Sequence, residues 1–189
     1  MRNPHAVFPR LLLVPLVAAA LALTGVTPAF ADNVIPPPVS GDVVFLWSNS
    51  GTTGLDIKCM QVDPGRLDNF APVDQYTCTF RNNQAWRLGQ VNGQPNVFWL
   101  QNVATGKCLD DLNYSVVQGN PIVQYTCQIG VNQQWRMDWD YNGGTASFQN
   151  VNSGMCLSVD GLNSSNYRRF VQNPCYDFTN ERFNPEYPG

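Results

Sequence analysis

Two adjacent aspartates, Asp110 and Asp111, stand in the stretch TGKCLDDLNYSV, residues 105 to 116. Paired carboxylates suit glycoside hydrolysis, in which one acts as acid and the other as base or nucleophile across roughly 5 to 9 Å. Neighbours in one strand point to opposite faces, so these two do not make such a pair by themselves. Histidine chemistry is excluded more firmly. The single histidine, His5, lies within residues 1 to 31, which read as an export signal: Arg2 and Arg10, an apolar run from Leu11 to Leu23, and the small-x-small site Ala29-Phe30-Ala31. Without that segment the chain has no imidazole for a Ser-His-Asp or Cys-His arrangement or for the common zinc sites.

Removing 31 of 189 residues leaves 158, one domain's worth. Losing Arg2 and Arg10 takes the basic residues from 11 to 9 against 14 acidic ones, a net charge of −5. That balance argues against nucleic acid or an anionic membrane as the partner. The apolar run of 13 residues is short of the roughly 20 that a membrane-spanning helix needs, so an exported, secreted protein without membrane insertion is expected.

The elements that must position Asp110 come in triplicate. Cys59 and Cys78, Cys108 and Cys127, and Cys156 and Cys175 are each 19 apart, and the first members follow one another at 49 and 48 residues. The texts align as KCMQV, KCLDD and MCLSV, then DQYTC, VQYTC and VQNPC, then NQAW, NQQW and NERF. Gln84, Gln133 and Glu181 therefore correspond, as do Trp86, Trp135 and Phe183. Short alternating runs such as FWLQN and SFQN, broken by NGQP, QGNP and NGG, predict strands and turns with no sustained helical period. Three units of about four strands, near residues 42 to 91, 92 to 140 and 141 to 189, are expected to close into one pseudo-threefold all-β barrel without exposed edges. Repetition leaves two natural cysteine pairings, within each unit or from one unit to the next. In an exported chain all six are expected to be oxidised rather than nucleophilic or metal-binding.

These motifs resemble the ricin-type lectin repeat, in which an asparagine, a C-L-D, a V-Q-Y-x-C and an N-Q-x-W recur at these spacings. The resemblance covers about residues 42 to 188, with about four extra residues in the first unit around Gly51 to Leu55. It implies a β-trefoil, one cystine within each repeat, and non-covalent carbohydrate binding in shallow pockets without metal or cofactor. Galactose-type or xylan-type glycans are the ligands it suggests.

If bonded cysteines lie on antiparallel strands, the residue two past the first should face the residue two before the second. This predicts Asp110 opposite Tyr125, Gln61 opposite Tyr76 and Ser158 opposite Asn173, so only the middle unit sets an acid against an aromatic. A ring to cover a sugar's C–H face and a carboxylate to accept from its hydroxyls are what sugar recognition asks for. The resemblance adds Asn132 and Gln133, giving a site of Asp110, Tyr125, Asn132 and Gln133. Val123 departs from the family's pattern, where a polar residue is usual, and Gln124 should face away. A second candidate site in the first unit comprises Asp63, Asp74, Tyr76, Asn83 and Gln84. The third has Asp160 but no ring, with Asn173 in its place.

Each residue has a plainer reading. Gln133, sharing a face with core Trp135, fits a buried amide tying backbone together, Asn132 a turn former, and Tyr125 an ordinary surface aromatic. Asp111 reads as a solvated loop-edge residue. DWDYNGGTASFQ, residues 138 to 149, approximates a calcium loop, but the alternation of Met137, Trp139 and Tyr141 with Asp138 and Asp140 reads as a strand ending in an Asn142-Gly143 hairpin turn. Asn113-Tyr114-Ser115 and Asn163-Ser164-Ser165 match the glycosylation triplet, and residues 32 to 41 form a stiff proline-rich lead. Two rivals to the lectin stand: a protein-binding trefoil, such as a protease inhibitor or toxin accessory subunit with degenerate sugar sites, and a glycosidase using an acid from another loop.

Overall fold

A computed structural model of the chain describes residues 35 to 48 and 57 to 189. The expected export signal, residues 1 to 31, and the extra residues expected in the first unit around Gly51 to Leu55 lie outside these. Twelve strands follow in order: β1 (Val43–Ser48), β2 (Lys58–Val62), β3 (Val73–Thr77), β4 (Ala85–Gln90), β5 (Val97–Asn102), β6 (Cys108–Asp111), β7 (Ile122–Tyr125), β8 (Trp135–Asp140), β9 (Thr145–Asn150), β10 (Cys156–Val159), β11 (Arg168–Asn173) and β12 (Phe183–Glu186). Four fall in each expected unit.

Six strands close on themselves. β1 pairs with β4, β4 with β5, β5 with β8, β8 with β9, β9 with β12, and β12 with β1, all antiparallel. The ring has no free edge. The other six form the hairpins β2–β3, β6–β7 and β10–β11, attached where β1, β5 and β9 end. Successive hairpins are joined by Arg168 with Gln75, Pro72 with Val123, and Pro121 with Val171. This is a β-trefoil.

The barrel fills from alternate strand positions. Trp86, Trp135 and Phe183, the last residues of the three aligned motifs, are wholly buried beside Met60, Leu109, Leu157, Leu46, Leu100 and Phe148. Trp86 and Trp135 also satisfy their indole N–H groups, Trp86 on the carbonyl of Met60 at 3.0 Å and Trp135 on that of Leu109 at 3.2 Å. These bonds tie the floor of a hairpin to the barrel, which places the residues just beyond Leu109. The three disulfides join Cys59 to Cys78, Cys108 to Cys127 and Cys156 to Cys175, all within repeats. Each closes a hairpin base across a 19-residue separation, worth roughly 3 kcal/mol on the loop-entropy estimate.

The turn after β8 is longer than expected. Asp140 pairs with Thr145, leaving a four-residue connection in which Gly144, at φ +62°, takes the left-handed position expected near Asn142-Gly143. Asp140 Oδ1 accepts from the Asn142 N–H at 2.9 Å, so this acid caps the turn itself. Among the described residues no cluster of three His, Cys, Asp or Glu side chains is placed to hold a metal ion, and no helix is long and apolar enough to cross a membrane.

Candidate functional site

The β6–β7 ladder sets the geometry. Cys108 faces Tyr125, Leu109 faces Gln124, Asp110 faces Val123 and Asp111 faces Ile122. Asp110 is therefore not directly opposite Tyr125, as the cysteine rule predicted, but diagonal to it on the same face. The register moves by two because β7 ends at Tyr125 and Cys127 bonds from beyond the strand. The same correction holds elsewhere: Cys59 faces Tyr76 and Gln61 faces Asp74, while Cys156 faces Asn173 and Ser158 faces Val171. A diagonal pair still meets, because side chains as long as tyrosine reach across it.

Asp110, Tyr125 and Asn132 line one shallow cavity of about 170 Å³ with Phe70, Asn113, Tyr114 and Gln128. Asp110 is almost fully buried, and its Oδ2 accepts from Gln133 Nε2 at 2.7 Å. Burial pushes its carboxyl up to about 6, although hydrogen bonds from Gln133 and Asn132 favour the charged form. Asn132 donates from Nδ2 to the carbonyl of Asp111 at 3.3 Å.

Gln133 does not line the cavity. It sits in the 3₁₀ turn Val131–Gln133 rather than in β8, so it does not share a strand face with Trp135. Its Oε1 accepts from the N–H groups of Gln128 and Ile129, both at 2.9 Å, and its Nε2 also reaches the Thr126 carbonyl at 3.0 Å. The plainer reading of Gln133 as a buried tie holds, and the tie also aims Asp110.

Asp111 faces away from the cavity, as parity requires, but it is not a solvated residue. It is wholly buried, held by Asn120 Nδ2 at 2.6 Å, and desolvation pushes it up to about 6 against that bond, with the charge of Asp110 adding to the rise. Gln124 also faces away, donating to the carbonyls of Arg66 and Asp68 at 3.1 and 2.9 Å. These bonds lash the β2–β3 loop against the middle repeat.

Four wall residues, Phe70, Asn113, Tyr114 and Gln128, escaped the sequence reading of the site. Phe70 comes from the first repeat and touches Tyr125 with ring centroids 5.0 Å apart. Tyr114 follows Asp110 on the 3₁₀ turn Leu112–Tyr114, and the Asn113 seen as a glycosylation triplet is part of the wall. Glycine at 130 makes room for them: a Cβ there would stand 2.6 Å from Tyr114 Oη and 2.9 Å from Asn132 Oδ1. The corresponding positions in the other repeats are Arg81 and Phe178. Alignment of the three units at this position was the available signal.

In the first repeat, Tyr76 and Asn83 line a cavity of about 300 Å³ with Gln61 and Tyr167. Asp74 is buried behind Gln61, whose Nε2 donates to Asp63 and Asp74 at 3.1 Å each. Burial pushes Asp74 up to about 6, with Gln61 favouring the charged form, Asp63 opposing it and Arg169 favouring it. Gln84 is the same tie as Gln133, accepting from the N–H groups of Thr79 and Phe80 at 2.7 and 3.0 Å. Thus Asp63, Asp74 and Gln84 stand around the cavity without lining it. In the third repeat Asp160 pairs with Arg168 at 3.2 Å on the surface, and Asn180 Nδ2 donates to Ser158 Oγ at 2.8 Å.

The model of the ricin-type β-trefoil lectin domain-like family matches residues 40–125, 82–173 and 131–187, overlapping windows that together span the fold. The chain belongs to this family. Among solved structures, the trefoil resembles the designed threefold-symmetric protein ThreeFoil at 26% identity and TM-score 0.68, over 76% of this chain and 96% of that one. It also resembles part of an exo-β-1,3-galactanase from Clostridium thermocellum, at 25% identity and TM-score 0.69, covering 81% of this chain and 31% of that chain. The agglutinin of Rhizoctonia solani shares the fold at 16% identity and TM-score 0.67, over 81% and 99%. No curated protein matches.

Proposed function

We propose that this lectin-like trefoil is an exported protein that binds carbohydrate non-covalently, chiefly through its middle repeat. The observation that carries the reading is the arrangement around Asp110: a carboxylate aimed by Gln133 into an open dish that also holds the ring of Tyr125 and the amide of Asn132. At neutral pH the carboxylate is mostly ionised and accepts from neighbouring sugar hydroxyls while the ring covers the C–H face. A cavity of about 170 Å³ is below the roughly 300 Å³ typical of pockets that engulf a ligand. It suits a sugar held on one face, with modest affinity, and avidity would come from repeating glycans.

The first repeat supplies a weaker second site from Tyr76, Asn83 and Gln61, with its acids withdrawn behind the amide. The galactanase among the neighbours makes β-1,3-linked galactose the first ligand to try, and xylan fragments the second. A glycan array run on the secreted protein and on Tyr125→Ala tests the reading. Binding lost in a variant with unchanged circular dichroism supports it.

Exposed Leu67, Val116, Val117 and Leu162, in the loops linking the hairpin strands, favour the protein-binding trefoil as the second reading. A blank array together with capture of a defined protein partner would replace the lectin by that reading.

A further inference from the structure

We propose that the aromatic platform of the middle pocket is a two-ring ledge built across a repeat boundary, with Phe70 as its second ring, and that this ledge selects a linked pair of sugars over a single sugar. The inference rests on the carbohydrate reading and names a specificity-determining residue for it. Phe70 and Tyr125 lie 5.0 Å apart at 53°, and both line the cavity around Asp110. The first repeat repeats the device, with Tyr167 of the third repeat 5.1 Å from Tyr76 at 57°, both lining that cavity.

The equivalence is exact in the backbone. Phe70, Gly119 and Tyr167 are 49 and 48 residues apart, and their N–H groups donate to the carbonyls of Gln124, Gln172 and Gln75 at 2.9, 2.8 and 2.7 Å. All three have positive φ, +68°, +80° and +63°. Glycine accepts that conformation without strain, whereas an aromatic residue resists it. Phe70 and Tyr167 nevertheless keep it although the two residues are 54% and 57% exposed, so burial in the core does not explain them.

The two loops are also clipped. Asn69 Oδ1 accepts from the N–H and Oγ1 of Thr126, at 3.0 and 3.2 Å, and Asn166 Oδ1 accepts from those of Thr77, at 2.9 and 3.3 Å. At the third boundary the residue in place of threonine is Pro174, which has no N–H, and neither Gly119 nor Asn173 carries a ring. Clip and ring pair are present together or missing together.

Rings at this distance touch each other, leaving no slot for a sugar between them. They form a bent surface broader than one pyranose face. Asp110 addresses the hydroxyls of a sugar stacked on Tyr125, and Phe70 underlies the sugar linked to it. Because the ledge is held rigid before binding, the second contact adds affinity without an ordering cost.

Calorimetry with galactose and with β-1,3-galactobiose, in a Tyr76→Ala background that silences the first pocket, tests the proposal; xylose and xylobiose serve if the galactose series is not bound. The parent should prefer the disaccharide by about two- to tenfold, the range one stacking contact supplies. Phe70→Gly should abolish that preference by weakening the disaccharide several-fold more than the monosaccharide, and melt no lower than the parent because the backbone strain is relieved. Phe70→Asn, which tolerates positive φ, should behave alike and guards against a folding defect. A parent without disaccharide preference, a preference that survives in both variants, or equal loss of both ligands overturns the ledge. Absence of binding to all four sugars overturns the carbohydrate reading itself, and the ledge with it.

Discussion

Gln133 Nε2 donates to Asp110 Oδ2 over 2.7 Å, and the same side chain accepts two backbone N–H groups through its carbonyl oxygen. One amide thus ties the Gln128–Ile129 loop to the carboxylate that lines the middle pocket, so the role of Gln133 divides from that of Asp110 experimentally. Gln133→Ala takes the partner from two donors, the N–H groups of Gln128 and Ile129, and from two acceptors, Asp110 Oδ2 and the Thr126 carbonyl, and we expect a loss of about 3 kcal/mol in urea unfolding together with loss of sugar binding.

Asp110→Asn keeps the shape and still accepts from Gln133. It removes the charge that sugar hydroxyls would meet, so affinity should fall by about 10- to 100-fold, the worth of charge-assisted hydrogen bonds. The fold should be at least as stable at pH 7, because a desolvated carboxylate has gone. Calorimetric titration alongside thermal melting checks both signs.

Acidification should separate binding from stability. Asp74, Asp110 and Asp111 are each raised from 3.8 to about 6, so between about pH 4 and 6 the folded chain holds more protons than the unfolded one. Stability from these groups therefore rises as pH falls through that window, while sugar binding falls because Asp110 loses its charge. Asp68, lowered to about 2 by its hydrogen bond with Arg66, and Asp177, lowered by Arg182, act in the opposite sense but only at more acid pH. Melting curves and binding isotherms at pH 4.5 and 7 should move in opposite directions, and Asp110→Asn should flatten the binding curve.

The trefoil was legible because Cys59, Cys108 and Cys156, and with them Trp86, Trp135 and Phe183, repeat at spacings no accident produces. Asp110 and Tyr125 were legible through the cysteine spacing, and Asn132 through the family resemblance. The register was not, since the position of Cys127 beyond the end of β7 depends on where the strand stops, which spacing does not encode. The burial of Asp111 depends on Asn120, which arrives from the far end of a loop. Phe70 belongs to a different repeat from the pocket that it lines, so reading each unit by itself passed over it.

Gly130→Ala tests how closely the middle pocket is built. The added Cβ would lie 2.6 Å from Tyr114 Oη, and something must shift. Moving Tyr114 or Asn132 out of place should weaken sugar binding several-fold with a loss of stability of about 1 to 2 kcal/mol. Unchanged binding would remove Tyr114 and Asn132 from the site.

Gln133→Glu exploits a difference between repeats. In the third repeat the same tie is Glu181, whose Oε2 accepts from the N–H groups of Tyr176 and Asp177 at 2.9 Å each. It is compatible there because the residue corresponding to Asp110 is Ser158. Placed at 133, glutamate would still accept from the N–H groups of Gln128 and Ile129 but would set a second carboxylate against Asp110. Like charges at hydrogen-bond distance cannot both ionise cheaply, so one proton should be retained between them to higher pH than about 6. The variant should match the parent in stability near pH 5, fall behind it by about 2 kcal/mol by pH 8, and shift the pH midpoint of sugar binding upward. Glu181→Gln, in the repeat where uncharged Ser158 stands in place of Asp110, should show no such dependence, and parallel pH-resolved melting of the two variants decides the matter.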